Sequence, residues 1–339
     1  MANSKPNQNQ RMENKLKESP LELLWTKEIE GGISKLAFAD GNIVVGTKNG
    51  WIKCFDLDGK LKWKYEIDSE PKSIGLSKDY IVITSEKWKL YLFDINGNLK
   101  WQRNDCGYSL ISNNHILAGL KLFDIEGNLK WKKEILHVTK LDISNNYVAF
   151  ATEGGYETVT ESFIYLFNIY GQLKWRRTPY NDIGSDILIV KIIGNNIIVV
   201  TDDFLHIFDL EGNLKSKYGA DAFGFGVWID IANKGTVLGS GDVVCLLDEN
   251  CNLKWQKMIG VEPECFPDLS GRYPVICEDY VFVGTYSGSL YVFDLDGNEI
   301  YKEKSKDECG DPLCLFKWDR YLLCTGYHDK IIYLLKINP

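Results

Sequence analysis

FDLDGKLKW, residues 55–63, decides the fold of this chain, because the phrase returns six more times in varied form. The copies begin at Phe93 (FDINGNLKW), Phe123 (FDIEGNLKW), Phe167 (FNIYGQLKW), Phe208 (FDLEGNLKS), Leu247 (LDENCNLKW) and Phe293 (FDLDGNEIY), spaced 30 to 46 residues apart. That period belongs to propellers and solenoids, whose units each bury a face against the next.

Upstream of each copy lie two apolar runs joined by a turn, as in NIVVGTKNGWIKCFD (42–56), DYIVITSEKWKLYLFD (79–94) and DYVFVGTYSGSLYVFD (279–294). A further short strand such as GISKLAFAD precedes them. Each unit reads as four strands, a to d, with b and c apolar on both faces and therefore covered on both sides. Blades standing face to face in a ring meet that requirement. Strand c occurs eight times, the last as IIYLLK at 331–336, with no strand d after it. LLWTKEIE (23–30) has no a, b or c of its own and supplies the missing strand. The expected fold is an all-β, eight-bladed propeller of four-stranded antiparallel blades at 21–339, closed by the N-terminal strand completing the C-terminal blade. The polar stretch 1–20 reads as a flexible tail. Seven blades is the alternative, because only 30 residues separate Gly97 from Gly127 and the third unit must turn tightly at Ala118-Gly119.

The phrase itself is hairpin chemistry joining c to d. Its carboxylate accepts backbone N–H groups two residues on, and its glycine takes the left-handed position. The structural repeat residues are then Asp56, Gly59 and Trp63; Asp94, Gly97 and Trp101; Asp124, Gly127 and Trp131; Asn168, Gly171 and Trp175; Asp209 and Gly212; Asp248 and Trp255; Asp294 and Gly297; and Trp25 of the closing strand. Asn168 makes the same side-chain bond without charge, which favours a turn over a metal site, and no loop carries the oxygen ladder of an EF-hand. In strand d, Leu and Trp stand two apart on one face with Lys opposite. A buried indole contributes about 4 to 6 kcal/mol of gross hydrophobic gain, so the Trp is read as a packing anchor. Ser216 replaces that Trp and Cys251 replaces the turn glycine in neighbouring units, so blades 5 and 6 are expected to open first.

With 45% hydrophobic and 25% charged residues the chain has material for a continuous core. The net charge of −8 is concentrated late: residues 221–339 hold 19 acidic and 11 basic groups, whereas 1–220 are balanced at 28 each. No basic stripe exists to displace counterions from phosphates, so nucleic acid is not an expected partner. No apolar run reaches the roughly 20 residues of a membrane span, and the N-terminus lacks an apolar signal core. A cytoplasmic location is expected. Nine scattered cysteines suit free buried thiols more than a disulfide framework.

The Asp, turn glycine and docking Trp of each unit resemble the quinoprotein-like repeat, the PQQ-like and WD40-like β-propeller family, over about 23–339. The chain departs in having Phe before the Asp where that repeat commonly has Ala, and a turn one residue shorter without Thr before the glycine. Tyr301, like Ser216, also stands in place of Trp. The resemblance implies two kinds of relative: quinone-dependent dehydrogenases, and non-catalytic propellers such as the component of the bacterial outer-membrane assembly machinery. The dehydrogenases carry a vicinal cysteine pair and a calcium-bound quinone. No two cysteines are adjacent here, so the non-catalytic branch is expected, with no cofactor.

Function is less legible than shape. The a–b and c–d turns are short and uniform, so length variation falls in the d–a and b–c loops, which share the opposite face. That face is the expected working surface for a protein partner, with Tyr156, Tyr180, Phe223, Phe225, Trp228, Glu262, Glu264, Asp268, Asp307, Glu308 and His328 as candidate binding residues. Cys265, Cys309, Cys314 and His328 lack zinc-motif spacing, and no metal is expected. No nucleophile motif or phosphate loop occurs, so no catalytic residue is expected. The leading expectation is a non-enzymatic scaffold or accessory subunit; the competing one is an enzyme or small-ligand receptor using the central channel.

Overall fold

A computed structural model describes residues 20–144, 146–154, 161–179, 187–201, 204–219, 228–232, 234–240, 243–259, 273–285, 289–303, 313–326 and 330–338. These residues form eight four-stranded antiparallel sheets, and no helix occurs among them. Blade 1 is Ile33–Ala39, Asn42–Thr47, Trp51–Phe55 and Leu61–Glu66. Blade 2 is Pro71–Leu76, Tyr80–Ser85, Leu90–Asp94 and Leu99–Arg103; blade 3 is Ser109–Ser112, His115–Ala118, Lys121–Asp124 and Leu129–Lys132. Blade 4 runs Val138–Ile143, Tyr147–Thr152, Ile164–Asn168 and Leu173–Arg177, and blade 5 Ile187–Ile193, Asn196–Thr201, Phe204–Asp209 and Leu214–Gly219. Blade 6 runs Trp228–Ala232, Gly235–Ser240, Val243–Leu247 and Leu253–Met258, and blade 7 Tyr273–Cys277, Tyr280–Gly284, Leu290–Asp294 and Glu299–Glu303. Blade 8 has Leu313–Trp318, Tyr321–Gly326 and Ile331–Ile337, and its fourth strand is Leu21–Glu28 from the other end of the chain.

Both doubtful points of the sequence reading resolve in favour of eight blades. The closing strand pairs antiparallel with strand c of blade 8, Leu21 opposite Ile337 and Glu28 opposite Ile331. The short third unit is a full blade whose b and c strands turn over Gly119-Leu120, with Ala118 opposite Lys121 and Gly119 at φ +57°. Four-residue strands with almost no connecting loop fit within the 30-residue spacing.

The core is distributed between blades. Eight apolar clusters occur among the described residues, one at each seam; Val44, Ile52 and Cys54 of blade 1, for example, pack on Ile81, Ile83 and Phe93 of blade 2. Strands Asn42–Thr47 and Asn196–Thr201 are buried along their whole length, as strands covered on both faces must be.

Strand d departs from simple alternation. Trp63 lies opposite Cys54 while Leu61 lies opposite Phe55, so Lys62 is an extra residue in a β-bulge, and the same irregularity recurs in blades 2 to 7. The extra residue sends Leu and Trp to opposite faces. Leu61, Leu129 and Leu173 are about half exposed while Trp175 is buried, which corrects the expectation that the two share a face. The lysine between them is tied down in three blades: Lys62 Nζ donates to Asn42 Oδ1 (2.6 Å), Lys215 Nζ to Asn196 Oδ1 (2.8 Å), and Lys130 Nζ pairs with Asp124 Oδ2 (3.0 Å).

Candidate functional site: the channel mouth

The two faces of the ring are built differently. On one face the c–d turns are locked by the repeat motif: Asp94 Oδ1 accepts from the N–H groups of Asn96 (3.0 Å) and Asn98 (2.9 Å), and Gly97 sits at φ +88°. At Asp248 the N–H and side-chain amide of Asn252 lead in holding the carboxyl below its usual range. At Asp94, Asp124, Asp209 and Asp294 desolvation pushes the other way, but hydrogen bonds from the asparagine four residues on, with neighbouring N–H groups or a lysine, outweigh it and the carboxyls are again held low. These turns have their hydrogen-bonding capacity committed internally.

The opposite face opens onto the channel. A cavity of about 730 Å³ lies among the inner strands of blades 1, 2, 6, 7 and 8. Ile33, Leu36 and Phe38 of blade 1, Ile229 of blade 6, Val275 of blade 7 and Leu315 of blade 8 give it an apolar wall, and Lys35, Lys48, Glu70, Lys72, Asp230 and Lys317 bring charge to it. Most of that charge is already paired. A bulge at Ser34 turns its hydroxyl to Glu70 Oε1 (2.6 Å), Lys72 pairs with Glu86 (3.2 Å), and Lys317 pairs with Asp230 (2.8 Å). Asp230 also accepts from the N–H of Ile276 (2.9 Å), which links the inner strands of blades 6, 7 and 8. Asp142 does the same between blades 4 and 5, accepting from Lys191 (2.8 Å) and from the N–H of Ile192 (2.8 Å). Lys35 and Lys48 are exposed and have no ion pair or side-chain hydrogen bond among the described residues.

Next to this mouth stand two exposed rings that sequence reading missed. Trp88 is 44% exposed and Tyr108 53%, and they meet edge to face with centroids 5.5 Å apart. Trp88 sits in the b–c turn of blade 2 at φ +59°. Blade 1 fills the same turn position with Gly50 at φ +85°, whose carbonyl accepts from the N–H of Ile67 as that of Trp88 accepts from Cys106. A bulky side chain in that region costs roughly 1–2 kcal/mol, and the ring gains little burial in return. The signal was present in the aligned turns TKNGW (47–51) and SEKWK (85–89), where Trp stands in a glycine slot.

Of the binding residues expected from sequence, Trp228 opens the inner strand of blade 6. Tyr156, Tyr180, Phe223, Phe225, Glu262, Glu264, Asp268, Asp307, Glu308 and His328 lie outside the described residues, as do Cys265 and Cys309. Among the described residues no group of three or more His, Cys, Asp or Glu is placed to hold a metal ion. None of the seven described cysteines is in a disulfide. Burial raises Cys54 and Cys277 to about 11 and Cys245 to about 12, so these thiols stay protonated at neutral pH. The described histidines are dispersed: His115 is in strand b of blade 3, His137 precedes blade 4, and His206 is buried in strand c of blade 5, stacked on Phe208.

Residues 22–121 match the family model described as outer membrane protein assembly factor BamB. The match runs from the closing strand into blade 3 and bears out the PQQ-like resemblance read from the repeats. No curated protein matches the chain. Among solved structures, BamB from Moraxella catarrhalis superposes with a TM-score of 0.70 at 15% identity, covering 93% of this chain and 99% of that one. The C-terminal WD40 domain of Sif2 gives 0.71 at 12% identity over 94% and 99%, and Saccharomyces cerevisiae Sqt1 gives 0.67 at 9% over 93% and 98%. At such identities the likeness shows the fold, a complete eight-bladed ring.

Proposed function

We propose that this protein is a non-enzymatic scaffold or accessory subunit that binds protein partners through the face carrying its d–a and b–c loops. The observation that carries the proposal is Trp88: a large ring held in a strained turn where glycine serves elsewhere, exposed beside Tyr108, has the chemistry of an interface anchor. The contrast between faces supports the same surface, since the motif turns opposite are saturated by their own hydrogen bonds. The matching family model is described as an assembly factor, and a place in a larger assembly is the form the proposal takes here. Thiols outside any disulfide at all seven described cysteines support a reducing compartment such as the cytoplasm. The cavity of about 730 Å³ favours a second reading, a small-molecule receptor using the channel.

Native mass spectrometry of the protein purified gently from its own source, at low salt, separates the readings. Comigrating polypeptides that are lost from a Trp88→Gly variant support the scaffold. An adduct of a few hundred daltons with no bound protein overturns it in favour of the channel receptor.

A further inference from the structure

We infer that the partner segment bound at this face is an extended acidic peptide, with its carboxylates at Lys35 and Lys48 and an apolar side chain of the same segment on the Trp88–Tyr108 pair; this rests on the scaffold reading above. The argument is one of charge complementarity at the channel mouth. The described carboxylates of the cavity are engaged by neighbours, Glu70 by the Ser34 hydroxyl and Asp230 by Lys317 and the N–H of Ile276. The ammonium groups of Lys35 and Lys48 find no such partner among the described residues. They belong to one corner of blade 1: Lys35 lies opposite Gly46 near the end of strand b, and Lys48 follows that strand with its N–H bonded to the Gly32 carbonyl (3.2 Å) and its stem over Gly32. A segment meeting that corner replaces water around two cations with carboxylates.

The aromatic pair is continuous with that corner. Lys72 lines the cavity and reaches Glu86, whose N–H in turn bonds the Glu70 carbonyl (2.7 Å), and Trp88 stands two residues further along the same turn. A peptide running from the cavity over Lys72 therefore arrives at Trp88 and Tyr108. An acidic stretch followed by a Leu or Phe matches this order of charge and then apolar surface.

The test uses two fluorescein-labelled peptides, Asp-Glu-Asp-Glu-Gly-Leu-Phe and its counterpart with Asn and Gln in place of the acids, titrated by polarisation at 50 and 300 mM salt. The acidic probe is expected to bind at least about tenfold more tightly than the amide probe and to weaken with salt. Lys35→Glu with Lys48→Glu weakens it about tenfold or more, and Trp88→Gly about tenfold while melting at an unchanged or higher temperature, because glycine suits φ +59°. Equal binding of the two probes, no binding to the full-length protein, or indifference to the lysine reversals overturns the inference. Cross-linking to native partners reads the scaffold separately: partners that stay bound to the lysine variant sink the acidic-segment inference alone, and partners that never attach to this face sink the scaffold reading as well.

Discussion

The indole of Trp63 covers Gly97 of the next blade so closely that a methyl group on that glycine would stand 2.5 Å from the ring. Its Nε1 also donates to the carbonyl of Ile95 in the same turn (3.0 Å). The arrangement repeats at Trp25 and Gly59, Trp101 and Gly127, Trp131 and Gly171, Trp175 and Gly212, and Trp255 and Gly297. Each of those indoles likewise donates to the carbonyl of the residue after the motif Asp or Asn: Trp25 to Leu57, Trp101 to Ile125, Trp131 to Ile169, Trp175 to Leu210 and Trp255 to Leu295. The repeat glycine thus has two reasons to be glycine, its positive φ and the ring above it. The motif is a docking device between blades as much as a turn within one.

Trp63→Ala is expected to lower stability by about 3 kcal/mol, the lower end of the range for removing a large core aromatic, because the indole is only partly buried. Trp63→Phe keeps most of the packing and loses the bond to Ile95, about 1 kcal/mol. Gly97→Ala should destabilise through the clash and the left-handed φ together. Urea unfolding of the three variants measures this, and a Gly97→Ala variant as stable as the parent would remove the close approach from the account.

Ser216 and Cys251 fall at one seam. The tryptophan of blade 5 would have docked on the turn glycine of blade 6, and both are replaced there. Cys251 is buried at φ +65°, accepts from Asn196 Nδ2 of blade 5 at Sγ (3.3 Å), and receives the Tyr218 hydroxyl at its carbonyl (3.4 Å). The two changes are complementary rather than independent losses. Ser216→Trp alone should destabilise by crowding Cys251, and Cys251→Gly alone by leaving a void. The double variant should be more stable than the sum of the singles by about 1 kcal/mol or more. Additive single and double values in a denaturation cycle would refute the pairing. The seam has only a serine where the others dock an indole, whereas Tyr301 still packs a ring into the seam of blades 7 and 8, so hydrogen exchange is expected to report the lowest protection in blades 5 and 6; protection equal to that of blades 1 and 2 would contradict it.

The count of blades, the short third blade and the shared closing blade were legible because Asp, Gly and Trp recur at positions a hairpin requires. The bulge at Lys62 was not, since a period-two pattern carries no mark of one unpaired residue, and so the exposure of Leu61 was misread. The link between Ser216 and Cys251 was invisible for another reason: they are 35 residues apart and meet only when the blade order is known. Trp88 was overlooked because a Trp within an apolar hairpin reads as core. Its turn position, compared with Gly50, is what reveals it.

Thiol chemistry offers an independent check on burial. With Cys54 and Cys277 raised to about 11, only about one thiolate in a thousand is present at pH 8. Cys324 is raised further by its burial. Cys314, which lines the channel cavity and is only partly buried, is expected to react with a thiol reagent well before any of these. Peptide mapping after brief labelling of the native protein reads the order; labelling of Cys324 ahead of Cys314 would contradict the packing of blade 8.

Acid should loosen the ring through its motif turns. Asp94, Asp124, Asp209, Asp248 and Asp294 all have carboxyls held below the ordinary value of 3.8 when folded. The unfolded chain therefore takes up protons first as pH falls, so the stability these groups contribute is complete above about pH 5, begins to fall as pH approaches the unfolded value, and is lost as pH drops through their folded values. Blade 4 already has a turn without the charge: Asn168 accepts from the N–H of Gln172 (2.9 Å) and donates its own amide to Gln172 Oε1 (2.9 Å). Asp209 instead accepts the Asn213 amide (2.9 Å). Converting blade 5 to the neutral pair, Asp209→Asn with Asn213→Gln, should leave stability at pH 7 within about 1 kcal/mol while reducing its loss between pH 4 and 2. Urea midpoints across that range measure the effect. An unchanged acid profile would show that the turn carboxylates do not govern acid unfolding, and a large loss at pH 7 would show that the charge itself, rather than the hydrogen-bond pattern, holds the turn.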